Sequence, residues 1–161
     1  MTARAYQVIA QAQEAGATLV TAESCTGGLI AGSLTEVPGS SAVLERGFIT
    51  YSNDAKAEML GVAADLIAAH GAVSEPVARA MADGALARSH ATIAVSVTGV
   101  AGPGGSAAKP EGMVCFALAT SDGAARSETV QFGPLGRSAV RAASVDHALQ
   151  MVLAALSAPR D

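Results

Sequence analysis

Apolar and polar positions change period repeatedly along this chain. Tyr6, Val8, Ile9 and Ala12 recur at helical spacing ahead of Gly16 and predict a first helix. Thr18 to Thr21 reads as a β run that stops at Glu23-Ser24-Cys25-Thr26. After Gly27-Gly28 the apolar set Leu29, Ile30, Ser33, Leu34 and Val37 returns to a helical period. Val37-Pro38-Gly39 marks a turn, Ser40 to Glu45 a short helical turn, and Gly47 to Ser52 a second strand. Asn53-Asp54 is expected to cap a helix running from Ala55 towards Leu60 and closed by Gly61, and Asp65 to His70 gives another short helix before Gly71. Ser74-Glu75-Pro76 combines a capping hydroxyl, an early acid and a first-turn proline. The helix it starts carries Val77, Met81 and Ala85 on one apolar face.

Thr92 to Thr98 is β-rich. Met113 to Thr120 and Arg126 to Phe132 predict a hairpin joined through Ser121-Asp122-Gly123. A last helix from Arg137 or Ser138 spaces Val145, Leu149, Val152 and Leu156 for burial. Helices interleaved with strands, then one late hairpin, predict an α/β fold, a three-layer α/β/α domain with a mixed β-sheet. With 161 residues and no repeat, linker or low-complexity stretch, residues 1–161 are expected to form a single domain.

Composition narrows the function classes. Half of the residues are hydrophobic but only 3% are aromatic, so small side chains should let the layers approach closely. The charge is 10 − 14 = −4 and no Lys/Arg cluster tracks one face, which argues against nucleic acid as a partner. A small anionic substrate stays compatible, because local donors override a mildly acidic surface. Cys25 and Cys115 alone make no disulfide framework. Without a signal peptide or an apolar run of membrane length, the expected location is cytoplasmic, with no membrane partner.

Several positions could carry chemistry. A strand-to-helix turn at Ser24 would put a hydroxyl at the carboxyl edge of a sheet and aim unpaired backbone N–H groups at whatever it attacks. Ser24 could equally serve as an ordinary helix N-cap. Lys56, three residues beyond the Asn53 cap, sits where the helix dipole disfavours a positive charge. If partly buried there it would be pushed towards its neutral, basic form, with the Tyr51 phenol close by; the alternative is a solvated surface lysine. The Gly-rich segment Gly99 to Gly105 follows a strand and could cradle a phosphate, yet it lacks a Gly-Lys-Ser/Thr and holds Pro103, so it is neither a P-loop nor a dinucleotide fingerprint. His70 and His90 fall at helix ends, and His147 falls opposite Val145 and Leu149. No metal-ligand spacing links the three. Cys115 reads as core. Cys25 could be a nucleophile but lacks an evident activating histidine, which leaves a neutral lysine as the means of activating a serine.

Four segments together carry a resemblance: TAESCTGGLIAGSLTEVPGSS from Thr21, GFITYSNDAKAEMLGV from Gly47, GAVSEPVARAMADGA from Gly71, and SVTGVAGPGG followed by KPEGMV from Ser96 to Val114. In this order, over most of the chain, they resemble the CinA C-terminal domain family, which includes stand-alone nicotinamide-nucleotide amidases. The resemblance implies a three-layer α/β/α domain that hydrolyses the carboxamide of nicotinamide mononucleotide to nicotinate mononucleotide and ammonia. It makes Ser24 the nucleophile, Lys56 the general base and Tyr51 an assisting hydroxyl. Longer family members add an N-terminal nucleotide-pyrophosphatase domain, and an activity of that kind is not expected of this chain. Where family members tend to have Gly-Asp-Arg ahead of a Val-Arg pair, this chain has Gly133-Pro134-Leu135-Gly136-Arg137 and then Val140-Arg141, so the arginines match and the aspartate is absent.

The expected mechanism follows. Neutral Lys56 takes the Ser24 proton, a nicotinoyl-serine forms, and water hydrolyses it. The oxyanion would be held by N–H groups of Thr26, Gly27 and Gly28. Asn53, Gly99, Gly102, Arg137 and Arg141 are the further substrate-binding positions, the last four being candidates for the phosphate. No metal or other cofactor is expected. The partner is a small-molecule nucleotide, and homo-oligomerisation stays open. Two rivals remain: a non-catalytic nucleotide-binding domain, and a Ser-Lys hydrolase of another amide.

Overall fold

The computed structural model describes residues 3–158. Its elements run α1 (Ala3–Ala15), β1 (Leu19–Glu23), α2 (Leu29–Thr35), a 3₁₀ turn (Ser40–Ala42), β2 (Leu44–Ile49), α3 (Asn53–Leu60), α4 (Ala64–His70), α5 (Glu75–Ala87), β3 (Ile93–Gly99), β4 (Met113–Thr120), β5 (Ala125–Gln131) and α6 (Arg137–Ser157). The five strands of the described residues form one sheet in the order β2-β1-β3-β4-β5. β1 is parallel to β2 and β3, while β3–β4 and β4–β5 are antiparallel. The α/β mixed sheet expected from the pattern is present.

Both faces of the sheet are covered, which is why β1 and most of β3 are buried at every position rather than at alternate ones. Val8, Ile30 and Leu149 from α1, α2 and α6 pack with Leu19, Val95 and Phe116 on one face. Leu60, Ile67 and Met81 from α3, α4 and α5 pack with Val20, Ala94 and Cys115 on the other. Small residues make the second layer thin. A Cβ on Gly84 of α5 would lie 2.0 Å from the Leu60 carbonyl oxygen, so only glycine admits the α3–α5 approach.

The structure corrects several local expectations. β2 begins at Leu44, not Gly47, because the 3₁₀ turn ends early enough for Leu44 to pair with Leu19 of β1. α3 starts at Asn53 and is capped by Ser52, whose Oγ accepts the Ala55 N–H at 3.0 Å, so Asn53 is not the cap. The Ser74 cap of α5 is as expected, accepting from Val77. Tyr6 and Leu29, counted with apolar faces, are 57% and 42% exposed. His147 turns towards the sheet, its ring 4.5 Å from that of Phe116 and its Nε2 2.7 Å from Glu128. Phe116 of β4 and Glu128 of β5 give that ring an aromatic neighbour and a carboxylate partner, which a solvent-facing position would not. Among the described residues no helix is long and apolar enough to cross a membrane.

Candidate active site

Strand order places the site. β1 and β3 run parallel side by side, with β2 beyond β1 and β4 beyond β3, and ligands of such sheets gather at the carboxyl ends where the connections diverge. There a cavity of about 350 Å³ opens between Ser24 after β1, Lys56 of α3, Thr98 and Gly99 at the end of β3, and Arg137 at the start of α6. The Ser24 N–H donates to the Val97 carbonyl (3.0 Å), so the turn after β1 stays registered to β3.

Alternation along β1 sorts its last residues. Val20 and Ala22 face the α3–α5 layer, and the Ser24 hydroxyl meets Lys56 of that layer. Lys56, the fourth residue of α3, is 1% exposed. Its Nζ lies 3.0 Å from Ser24 Oγ, donates to the Thr50 carbonyl at 3.0 Å and approaches the Tyr51 carbonyl at 3.4 Å. No acidic side chain is among its hydrogen-bond partners in the described residues. Burial therefore lowers its pKa below the ordinary 10.5, opposed by a smaller pull from Cys25. A neutral amine has two N–H groups and one lone pair. With carbonyls of Thr50 and Tyr51 able to take only the former, the lone pair is left for the Ser24 hydroxyl. The arrangement can move a proton from serine to lysine.

The Tyr51 phenol makes no hydrogen bond to this amine among the described residues. It accepts a hydrogen bond from Arg137 Nη2 (2.7 Å), while Arg137 Nη1 donates to the Gly102 carbonyl at 2.5 Å. Arg137 thus links Tyr51 on one wall of the cavity to the Gly-rich loop on the other. Asn53, Gly99 and Gly102 also line the cavity, as expected. Ala72 and Val73 supply an apolar wall, held where Thr98 Oγ1 donates to the Ala72 carbonyl at 2.9 Å.

Four expected positions lie elsewhere. Thr26, Gly27, Gly28 and Arg141 are absent from the cavity lining. The start of α2 is already filled, because the carboxylate of Glu23 accepts the N–H groups of Ile30 (2.9 Å) and Ala31 (3.0 Å) and the hydroxyl of Thr26 (2.7 Å). Arg141 reaches the back of the same turn, its Nε donating to the Cys25 carbonyl at 3.1 Å and its Nη2 to that of Thr26 at 3.4 Å. The reading of Ser24 as an N-cap also fails, since Gly28 holds the cap position of α2.

Sequence reasoning missed Glu23 and Glu111. Glu111 accepts the Gly104 N–H at 2.7 Å and the Gly136 N–H at 3.4 Å, so an acid of this chain takes a donor that a phosphate cradle would use. The parity of β1 was the available signal for Glu23: if Ser24 faces one layer, its neighbour must face the other. Cys25 lines the cavity, but burial pushes its thiol up to about 11, so it stays protonated at neutral pH.

With that geometry in hand, comparison with known proteins is decisive. The model of the CinA C-terminal domain matches residues 1–156. The chain belongs to the CinA C-terminal domain family. A CinA-like protein of Mycolicibacterium gilvum (strain PYR-GCK) is 56% identical over 144 residues, covering 89% of this chain but 34% of that protein. The chain therefore spans about a third of the length of such CinA-like relatives. The nicotinamide-nucleotide amidohydrolase PncC of Escherichia coli (strain K12) is 54% identical over 136 residues, 84% of this chain and 82% of that protein. The crystal structure of the competence/damage inducible protein CihA from Agrobacterium tumefaciens superposes with a TM-score of 0.93 at 51% identity, covering 96% of this chain and 94% of that one. In this CinA-type domain Ser24 and Lys56 meet at the carboxyl edge of the sheet.

Proposed function

We propose that this domain is an amidase that hydrolyses the carboxamide of nicotinamide mononucleotide, yielding nicotinate mononucleotide and ammonia through Ser24 and Lys56. The observation that carries the proposal is the buried Lys56 Nζ, 3.0 Å from Ser24 Oγ and without a carboxylate partner among the described residues. The substrate comes from similarity to the Escherichia coli PncC, which is named for that activity.

The steps balance without a further reactant beyond water. Lys56 takes the hydroxyl proton as Ser24 Oγ bonds to the carboxamide carbon, and the carbonyl electrons move to oxygen. Collapse of this adduct breaks the C–N bond, and the Lys56 ammonium gives its proton to the departing nitrogen as ammonia leaves. Water then attacks the nicotinoyl-Ser24 ester, again deprotonated by Lys56, and the carboxylate is released as Ser24 regains its proton. A positioned base of this kind supplies about 10² to 10⁴ in rate. With the α2 donors occupied by Glu23, the oxyanion falls to the backbone N–H of Cys25, a residue that lines the cavity and whose N–H has no backbone partner among the described residues. Each such donor is worth about 3 kcal/mol in the transition state. Tyr51 and Arg137 form one mouth of the cavity, and Arg137 is the cation placed to meet the nucleotide phosphate.

Incubation with nicotinamide mononucleotide tests the proposal. Ammonia and nicotinate mononucleotide should appear in equal amounts. Calorimetric binding of the nucleotide without ammonia over hours would instead make the domain a nucleotide binder. Neither binding nor turnover would send the search to other amides.

A further inference from the structure

We propose that Glu23 is a positioning residue for the nucleophile, a clamp that fixes the Ser24 turn on α2 so that the hydroxyl stays aimed at Lys56. This rests on the amidase reading above. Glu23 is 0% exposed although it sits directly before the reactive serine, at the end of a strand whose every residue is buried. A carboxylate in that position is costly unless fully bonded. Its two oxygens take three donors, the Thr26 hydroxyl inside the turn that carries Ser24 and the Ile30 and Ala31 N–H groups beyond it. One side chain thereby ties β1 to α2 across the turn, from residue 23 to residue 31.

That turn has little stiffness of its own. Gly27 and Gly28 both have positive φ, +59° and +102°, and Gly28 has no side chain with which to cap the helix. Its internal bonds are the Gly27 N–H to the Ser24 carbonyl and the Leu29 N–H to the Thr26 carbonyl, both 3.0 Å. Without Glu23, the Ile30 and Ala31 N–H groups would lose their acceptor, and the Ser24 backbone would lose its anchor on the helix side. Among the described residues the Lys56 amine bonds to Ser24, Thr50 and Tyr51 and not to Glu23, and burial and Cys25, not Glu23, set the direction of its pKa, so the effect of Glu23 on the reaction runs through placement of Ser24.

Steady-state kinetics on Glu23→Gln and Glu23→Asp test this in the full chain. The glutamine oxygen can accept from one of the two N–H groups while its amide nitrogen faces the other. The aspartate is one methylene short of the helix. Both variants should lose about tenfold to a hundredfold in kcat, as misplacement of a reacting group does. KM should stay within about threefold, and the pH at which the rate rises should not move. Amide exchange at Ile30 and Ala31 should accelerate in both. Wild-type kcat in a variant with accelerated exchange overturns the proposal, as does a loss confined to KM or a shifted pH limb. If the wild-type chain releases no ammonia, the amidase reading fails on its own. Exchange then judges the clamp, and unchanged protection of Ile30 and Ala31 in Glu23→Gln overturns it.

Discussion

Replacing Lys56 by methionine isolates the electrostatic cost of the candidate base. Methionine keeps an unbranched side chain of similar length in a site that is 1% exposed and removes the titratable group. The substitution also strips a donor from the Thr50 and Tyr51 carbonyls and alters packing, so the absolute stability change has several sources. Those terms do not depend on pH, and the pH dependence of the difference between wild type and variant isolates the amine. In the native chain burial lowers the Lys56 pKa below the 10.5 it has when unfolded. Below the native value both states carry the proton, and the difference is flat. Between the native value and 10.5 the unfolded chain holds a proton that the native chain has released, so wild type gains stability on the variant as pH rises. One proton gives a slope of up to about 1.4 kcal/mol per pH unit. Urea unfolding of both proteins from neutral pH up to about pH 10 reads that slope. Over that range the Cys25 thiol, pushed up to about 11, stays protonated in the native state and cancels in the comparison. A difference that stays flat or falls with pH would mean that Lys56 keeps its charge in the fold, and the argument for a neutral base would collapse.

Lys56→Arg should be nearly inactive in ammonia release, down by about 10² to 10⁴, because guanidinium cannot accept the serine proton; substantial turnover in that variant would exclude Lys56 as the base. Cys25→Ala should keep kcat within about threefold, since a buried thiol with a raised pKa is no nucleophile at neutral pH, and a collapse of turnover would reopen that assignment. Arg137→Ala breaks the link between Tyr51 and Gly102 and removes the cavity's cation; titration calorimetry should show nucleotide binding weakened about tenfold or more, and unchanged affinity would place the phosphate elsewhere.

Much of this geometry can be read from residue pattern, and the failures share a cause. Hairpin β4–β5 and the capped start of α5 depend on neighbours in sequence, so turn chemistry and capping place them within a residue. The meeting of Ser24 and Lys56 is legible because a strand end and a helix start, 32 residues apart, both point to one sheet edge. What local pattern misses is competition for donors. The α2 start looks like an anion site until Glu23, facing the opposite layer, is seen to occupy it. Gly104 looks like part of a phosphate cradle until Glu111 takes its N–H. Arg141, matched by the resemblance, is spent on the Cys25 and Thr26 carbonyls, and the Tyr51 phenol on Arg137. The early start of β2 is likewise a matter of pairing with β1, which no window along β2 alone contains.

Ser24→Ala tests the central claim most directly, with ammonia release from nicotinamide mononucleotide measured beside wild type under identical conditions. The Ser24 hydroxyl packs against little, being bonded to Lys56 and within 3.5 Å of the Tyr51 carbonyl, so the variant should melt with the wild type and still bind the nucleotide by calorimetry. Its turnover should fall by at least about a thousandfold, the scale on which loss of a nucleophile is felt. Near wild-type ammonia release from a folded Ser24→Ala protein would contradict the account, for among the described residues no other hydroxyl in the cavity is paired with Lys56.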